Sequence, residues 1–146
     1  MEAKQKKIAA LKVLLWLGAV YHIPFPLVAM FNKTYVPIMA NQFYGFNITI
    51  TPQIAWLLNP LAAYMLAFGL FLAVAATDPI KYIKMIYAVL FLLLIRIIQR
   101  ALFISSGSGE YISGDSYKII LDFCTCVLYW IAIFVMAKKV TCEKCA

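Results

Sequence analysis

Tyr82-Ile-Lys-Met-Ile-Tyr-Ala-Val-Leu-Phe-Leu-Leu-Leu-Ile-Arg-Ile-Ile-Gln-Arg-Ala-Leu-Phe-Ile-Ser105 is the stretch that decides the fold. Beyond Lys84 it is apolar except near its end, where Arg96, Gln99 and Arg100 are set into it. A run of this length reads as a membrane-spanning helix, because about 20 helical residues cross the hydrocarbon. An arginine within such a helix costs roughly 2.5–3.5 kcal/mol on insertion scales. Arg96 and Arg100 are four apart and share one face, with Gln99 beside it. The rest of the chain must offer that face a partner, a wet cavity or a ligand.

Composition agrees with a membrane setting. Of 146 residues, 65% are hydrophobic and only 13% charged, which excludes an ordinary water-soluble domain. The length suits a single transmembrane domain over 1–146. The net charge of +7 would point to nucleic acid in a soluble protein. Here the topology accounts for it, and no nucleic-acid partner is expected.

Working outward, four spans are expected, at about 8–31, 53–76, 82–105 and 117–137. The first follows a lysine-bearing start and is read as an uncleaved span rather than a signal peptide, since it is long and no small-residue cleavage site follows. Pro24 and Pro26 remove helix hydrogen bonds near Val20 and His22, so a kink or break is expected there. Residues 32–53 form the longest connection, rich in aromatics that suit the headgroup region. The alternation in Asn47–Thr51 suggests a short strand or an interfacial cap. Asn32-Lys33-Thr34 and Asn47-Ile48-Thr49 match the glycosylation pattern, which is short and readily matched by chance. Thr77-Asp78-Pro79 is a tight turn, residues 105–115 a flexible polar loop, and Lys138 and Lys139 stop the fourth span.

Four spans place the N-terminal segment, the Asp78 turn and the C-terminal tail on one side. That side carries Lys4, Lys6, Lys7, Lys12, Lys81, Lys84, Lys138, Lys139 and Lys144, against Lys33 and Lys118 on the other. By the positive-inside rule both termini are cytoplasmic. The fold class expected is all-α, an integral membrane four-helix bundle.

This topology gives each polar residue a depth, at about 1.5 Å per helical residue. His22 lies nine residues in from Phe31, Arg96 nine and Arg100 five in from Ser105, Asn59 six in from Gln53, and Asp122 five in from Tyr117. All fall in the outer half, whereas the inner half is Leu, Ile, Ala and Val. Ionisable residues inside a membrane face the bundle interior or a cavity and often mark a site. Asp122 is expected to pair with Arg100 or Arg96. The second arginine leaves positive charge for an anionic or carbonyl-bearing ligand. His22, the only histidine, can hydrogen-bond or exchange a proton. Asn59 and Gln99 would orient the ligand, and Tyr21, Tyr64 and Tyr129 would add polar contacts. The competing reading is that these groups simply lock the helices together. A single histidine rules out bis-histidine haem within one chain, no cofactor motif is present, and no metal is assigned.

The cysteines form two pairs. Cys124 and Cys126 point about 200° apart on a helix, poorly placed for a disulfide with one another, and only Cys126 shares a face with Asp122. Cys142-Glu143-Lys144-Cys145 has the spacing of half a zinc site or a redox pair, but the chain holds no second ligand pair. A thiol–disulfide oxidoreductase of the DsbB or vitamin K epoxide reductase kind is a minor alternative, because both outer loops lack cysteine.

Across Asn59–Phe103, with Asn59-Pro60, Gly69, Thr77-Asp78-Pro79 and Arg96–Arg100, the chain resembles small DoxX-like bacterial membrane proteins. That resemblance implies a bacterial inner (cell) membrane and an association with redox, sulfur or quinone metabolism; it carries no catalytic residues over. The function expected is binding of an amphiphilic or anionic small molecule, quinone-like or lipid, in the outer-half pocket, with a redox role as an accessory to an electron-supplying partner. The alternative is a structural or assembly subunit of a larger membrane complex, or of a homo-oligomer.

Overall fold

The computed structural model describes residues 2–45, 47–106 and 116–142. Every regular element among them is helical: α1 (Glu2–His22), α2 (Pro24–Phe31), a 3-10 turn at Lys33–Tyr35, α3 (Val36–Tyr44), α4 (Pro52–Thr77), α5 (Ile83–Ser105) and α6 (Ser116–Cys142). Four helices are long and apolar enough to cross a membrane, over Gln5–Phe31, Pro52–Thr77, Ile83–Ser105 and Tyr117–Thr141. The chain has the build of an integral membrane protein.

The first span bends where its prolines require. Pro24 and Pro26 bring no N–H to the carbonyls of Val20 and His22. Ile23 between α1 and α2 keeps right-handed helical angles (φ −84°, ψ −50°). Its N–H still donates to Ala19 O at 2.9 Å. The chain therefore turns without leaving the helical path, and α2 leans onto α4 with Pro26 and Ala29 buried.

The long connection is more ordered than expected. Residues 36–44 form α3, with Pro37 in its first turn and Gly45 closing it at φ 73°. This left-handed conformation suits glycine, and the Gly45 N–H caps the carbonyls of Ala40 and Asn41. Asn47–Thr51 is no strand, for no neighbouring strand exists among the described residues to pair with it. Its alternation still has a cause: Ile48 and Ile50 pack on Ala29, Val36 and Ala62, while Asn47 and Thr49 are exposed. It is a cap laid over the end of the helices.

The remaining boundaries follow from local chemistry. The Thr51 hydroxyl accepts from Ile54 N–H at 3.3 Å and Pro52 occupies the first turn, so α4 starts there. Asp78 accepts from the N–H groups of Ile80 and Lys81, both at 3.2 Å, and turns the chain toward α5. Lys138 and Lys139 do not stop the last helix, which continues to Cys142. Lysine is a good helix former; it marks the edge of the apolar stretch, and the backbone has no reason to break. Of the polar loop, residues 107–115 lie outside the described residues.

The long helices run alternately up and down and close a ring of neighbours: α1 on α4, α4 on α5, α5 on α6, α6 on α1. At the end where the chain begins and finishes, the interior is wholly apolar. Leu11, Leu15, Leu72, Ile86, Val89, Ile133 and Ala137 are almost completely buried there. The short helix α3 sits at the opposite end, held to α6 by Lys118 Nζ donating to Asn41 O at 3.2 Å. Lys33 Nζ, beside α2, donates to Ala55 O at 3.1 Å and fastens the same end to α4.

Candidate functional site: a polar cleft between the first and last spans

The site begins with two glycines. At Gly69 on α4 an added Cβ would lie 2.8 Å from Ile23 and 3.2 Å from His22. This absence of a side chain lets α1 approach α4 closely, just where α1 ends. His22 is thereby pressed into the interior, 5% exposed, with its ring 4.8 Å from that of Phe68 and 5.0 Å from that of Tyr21. Among the described residues it is the one fully buried polar side chain.

Both nitrogens of His22 are engaged. Nδ1 lies 2.8 Å from Gly18 O, which can only accept, so Nδ1 carries the proton. Nε2 lies 3.2 Å from Arg96 Nη1, which can only donate, so Nε2 offers its lone pair. The contacts on both sides thus select the neutral tautomer. In the ring of helices α1 and α5 are diagonal partners, so the Arg96–His22 bond crosses the centre of the molecule.

Arg100, one turn further along α5, reaches the other way. It forms an ion pair with Asp122 on α6 and donates from Nη1 to Cys126 Sγ at 3.1 Å. The expected carboxylate–arginine pair is therefore made by Arg100, and Arg96 takes the histidine instead. Cys126, one turn after Asp122, joins the cluster as their shared face requires, whereas Cys124 is exposed.

His22, Arg96, Asp122 and Cys126 border a cleft of about 710 Å³ between α1 and α6, within the range of small-molecule sites, and Arg100 stands behind Asp122. Tyr129 and Leu93 form its floor, where Tyr129 Oη donates to Leu14 O at 3.0 Å and ties α6 to α1. His22, Arg96 and Asp122 stand at its back, and Gln42, Phe43 and Lys118 at the α3 end. Most of the remaining lining is apolar.

Of the six residues expected at the site, the structure gathers His22, Arg96, Arg100 and Asp122. Asn59 and Gln99 are exposed on the outside of α4 and α5 and do not line the cleft. Tyr21 and Tyr129 line it, while Tyr64 is 78% exposed. The cleft also takes in Gln42 and Phe43, which belong to a helix where the sequence suggests a loop, and Lys118 of α6, which the sequence reading counts only toward orientation. Pro37 and Gly45, eight residues apart as a first-turn proline and a closing glycine, are the sequence signal for that helix. Among the described residues no three His, Cys, Asp or Glu side chains gather as a metal ion would need. The pairing proposed for Cys142 and Cys145 lies outside the described side chains.

The chain matches no family model, no curated protein and no solved structure. The cleft has therefore to be understood from its own chemistry. It combines an apolar wall, a fixed guanidinium, a neutral imidazole and a paired carboxylate. That set offers hydrogen-bond donors and charge to an oxygen-bearing group beside an apolar surface of Leu17, Leu93 and Leu121.

Proposed function

We propose that this is a small membrane protein that binds an amphiphilic or anionic small molecule, quinone-like or lipid, in the cleft between α1 and α6. The observation that supports this most directly is Arg96. It stands in a span at the back of a ligand-sized, largely apolar cleft, hydrogen-bonded to a neutral histidine rather than to a carboxylate. An arginine at such a position is costly unless something uses it. In this reading Arg96 contacts the headgroup, His22 sets the guanidinium's orientation and is the group available for proton exchange, and the Arg100–Asp122 pair holds α5 and α6 around the site. The lysine distribution supports cytoplasmic termini, which puts the cleft in the outer half of the membrane. The resemblance to DoxX-like proteins suggests a bacterial cell membrane and a redox-associated accessory role, with electrons supplied by a partner.

A second reading is favoured by a different observation. The same contacts, His22–Arg96 across the ring and Arg100–Asp122 along its edge, tie three helices together. A structural or assembly subunit, in a larger complex or a homo-oligomer, would need no more. Native mass spectrometry and lipid extraction of the gently purified protein, beside an Arg96→Ala/Arg100→Ala variant, separate the two. A discrete bound molecule, lost in the variant, is the expected result. No bound molecule, with a variant that only melts earlier, would replace the binding reading with the structural one.

A further inference from the structure

The cleft has a neighbour. A second cavity of about 360 Å³ lies between the α1–α2 bend and α3, lined by Leu17, Val20, Tyr21, Pro24, Phe25, Met39 and Phe43. Its wall is hydrocarbon and aromatic throughout, apart from the Tyr21 hydroxyl. Leu17, Val20, Tyr21 and Pro24 fall at i, i+3, i+4 and i+7, so one stripe of the first span forms one side. Leu17, Tyr21 and Phe43 line both cavities. The two spaces are therefore adjacent, one with charge at its back and the other without any.

Arg96 sets the sign of the charged end. A guanidinium carries five N–H donors. Arg96 spends one of its amino groups on His22 and, among the described residues, makes no ion pair. The carboxylate lining the cleft, Asp122, is held by Arg100. Lys118 adds a second cation at the α3 end. The side chains at the cleft thus present more positive than negative charge in a largely apolar surrounding, where a planar oxyanion would be matched by the guanidinium's fork. Leu17, Tyr21, Phe43 and Tyr117 are all more than a third exposed at the rim, on faces of α1, α3 and α6 that look outward from the ring. An occupant drawn from the surrounding bilayer would meet these side chains first.

We infer that the two cavities form one head-and-tail site for a single-chain amphiphile with an acidic headgroup, taken up sideways from the membrane. The oxyanion pairs with Arg96 in the larger cleft, and the hydrocarbon tail passes between Tyr21 and Phe43 into the groove under Met39. This rests on the binding reading above and narrows it: an acid is selected over a neutral quinone or alcohol.

The test uses the full chain in nanodiscs of phosphatidylcholine, with equilibrium binding of oleic acid, oleoyl lysophosphatidic acid, octanoic acid, oleyl alcohol and decylubiquinone. At least one of the two long-chain acids should bind tighter than the alcohol and the quinone by about tenfold or more, the effect of one charge-assisted hydrogen bond. Which acid binds tighter tells a carboxylate site from a phosphate site. Arg96→Gln should erase the preference for acid. Met39→Trp, which fills the apolar groove, should weaken the long-chain acid more than octanoic acid, whose shorter tail enters less of the groove. Equal binding of acid and alcohol, or an acid preference that survives Arg96→Gln, overturns the inference. An unchanged long-chain affinity in Met39→Trp overturns the tail's placement. If Arg96→Gln does not fold, the wild-type acid-to-alcohol ratio and the Met39→Trp comparison decide. Failure to bind any of the five probes would sink the binding reading itself, whereas binding without regard to charge sinks only this narrower one.

Discussion

Gly18 illustrates how a single position carries both packing and site. A Cβ placed there would collide with the Tyr129 hydroxyl and come within 3.0 Å of Leu72. The residue lies one helical turn before His22 and supplies the carbonyl that fixes its tautomer. Gly18→Ala should therefore destabilise the protein by about 1–3 kcal/mol through overpacking. In a Tyr129→Phe background, where the colliding oxygen is gone, the same substitution should cost clearly less. Thermal unfolding in detergent of the two singles and the double measures this, and additive costs would show that the collision is not the cause. At this scale part of the site was legible in the sequence. Counting residues from each span's end placed Arg96, Arg100 and Asp122 in the same half of the bundle, so a pairing of the carboxylate with one of the two arginines was legible. Depth alone did not say which arginine would take the carboxylate, since that depends on how α5 is rotated about its axis. The same limit explains Asn59 and Gln99: their depths suited the site, but their rotation points them outward.

At the scale of elements, the four spans were readable because each is a long apolar run, and some have a clear chemical end, such as Thr51-Pro52 at the start of α4 and Asp78 after it. The short helix α3 was not, because nine residues that hold a proline in the first turn and an Asn-Gln pair near the end carry little periodic signal. Its place matters more than its length. It forms the far wall of both cavities, and the Lys118–Asn41 hydrogen bond fastens it to α6. Lys118→Ala should loosen α3 as a unit. Hydrogen exchange over 36–44 should speed up by several-fold, while exchange in α4 and in the lower turns of α5 and α6 stays as it was. Unchanged exchange in α3 would mean that its apolar contacts alone hold it.

For the whole molecule, the distribution of lysine makes a prediction about orientation. Ile80 lies at the turn on the lysine-rich side and Thr34 on the other, and both are exposed. In a background with every cysteine replaced by serine, Thr34→Cys should react with a membrane-impermeant maleimide on intact cells. Ile80→Cys should react only after the cells are opened. The reverse pattern would invert the topology and place the cleft in the inner leaflet.

The apolar core at the terminal end has a consequence of another kind. Leu11, Leu15, Leu72, Ile86, Val89 and Ile133 close the interior below the cleft with no polar atom among their side chains. Water and ions that reach Arg96 from one face of the membrane meet a dielectric barrier before the other. The molecule is a vestibule above a plug: a charge seated at the cleft meets no polar atom among these six side chains on the way to the terminal end.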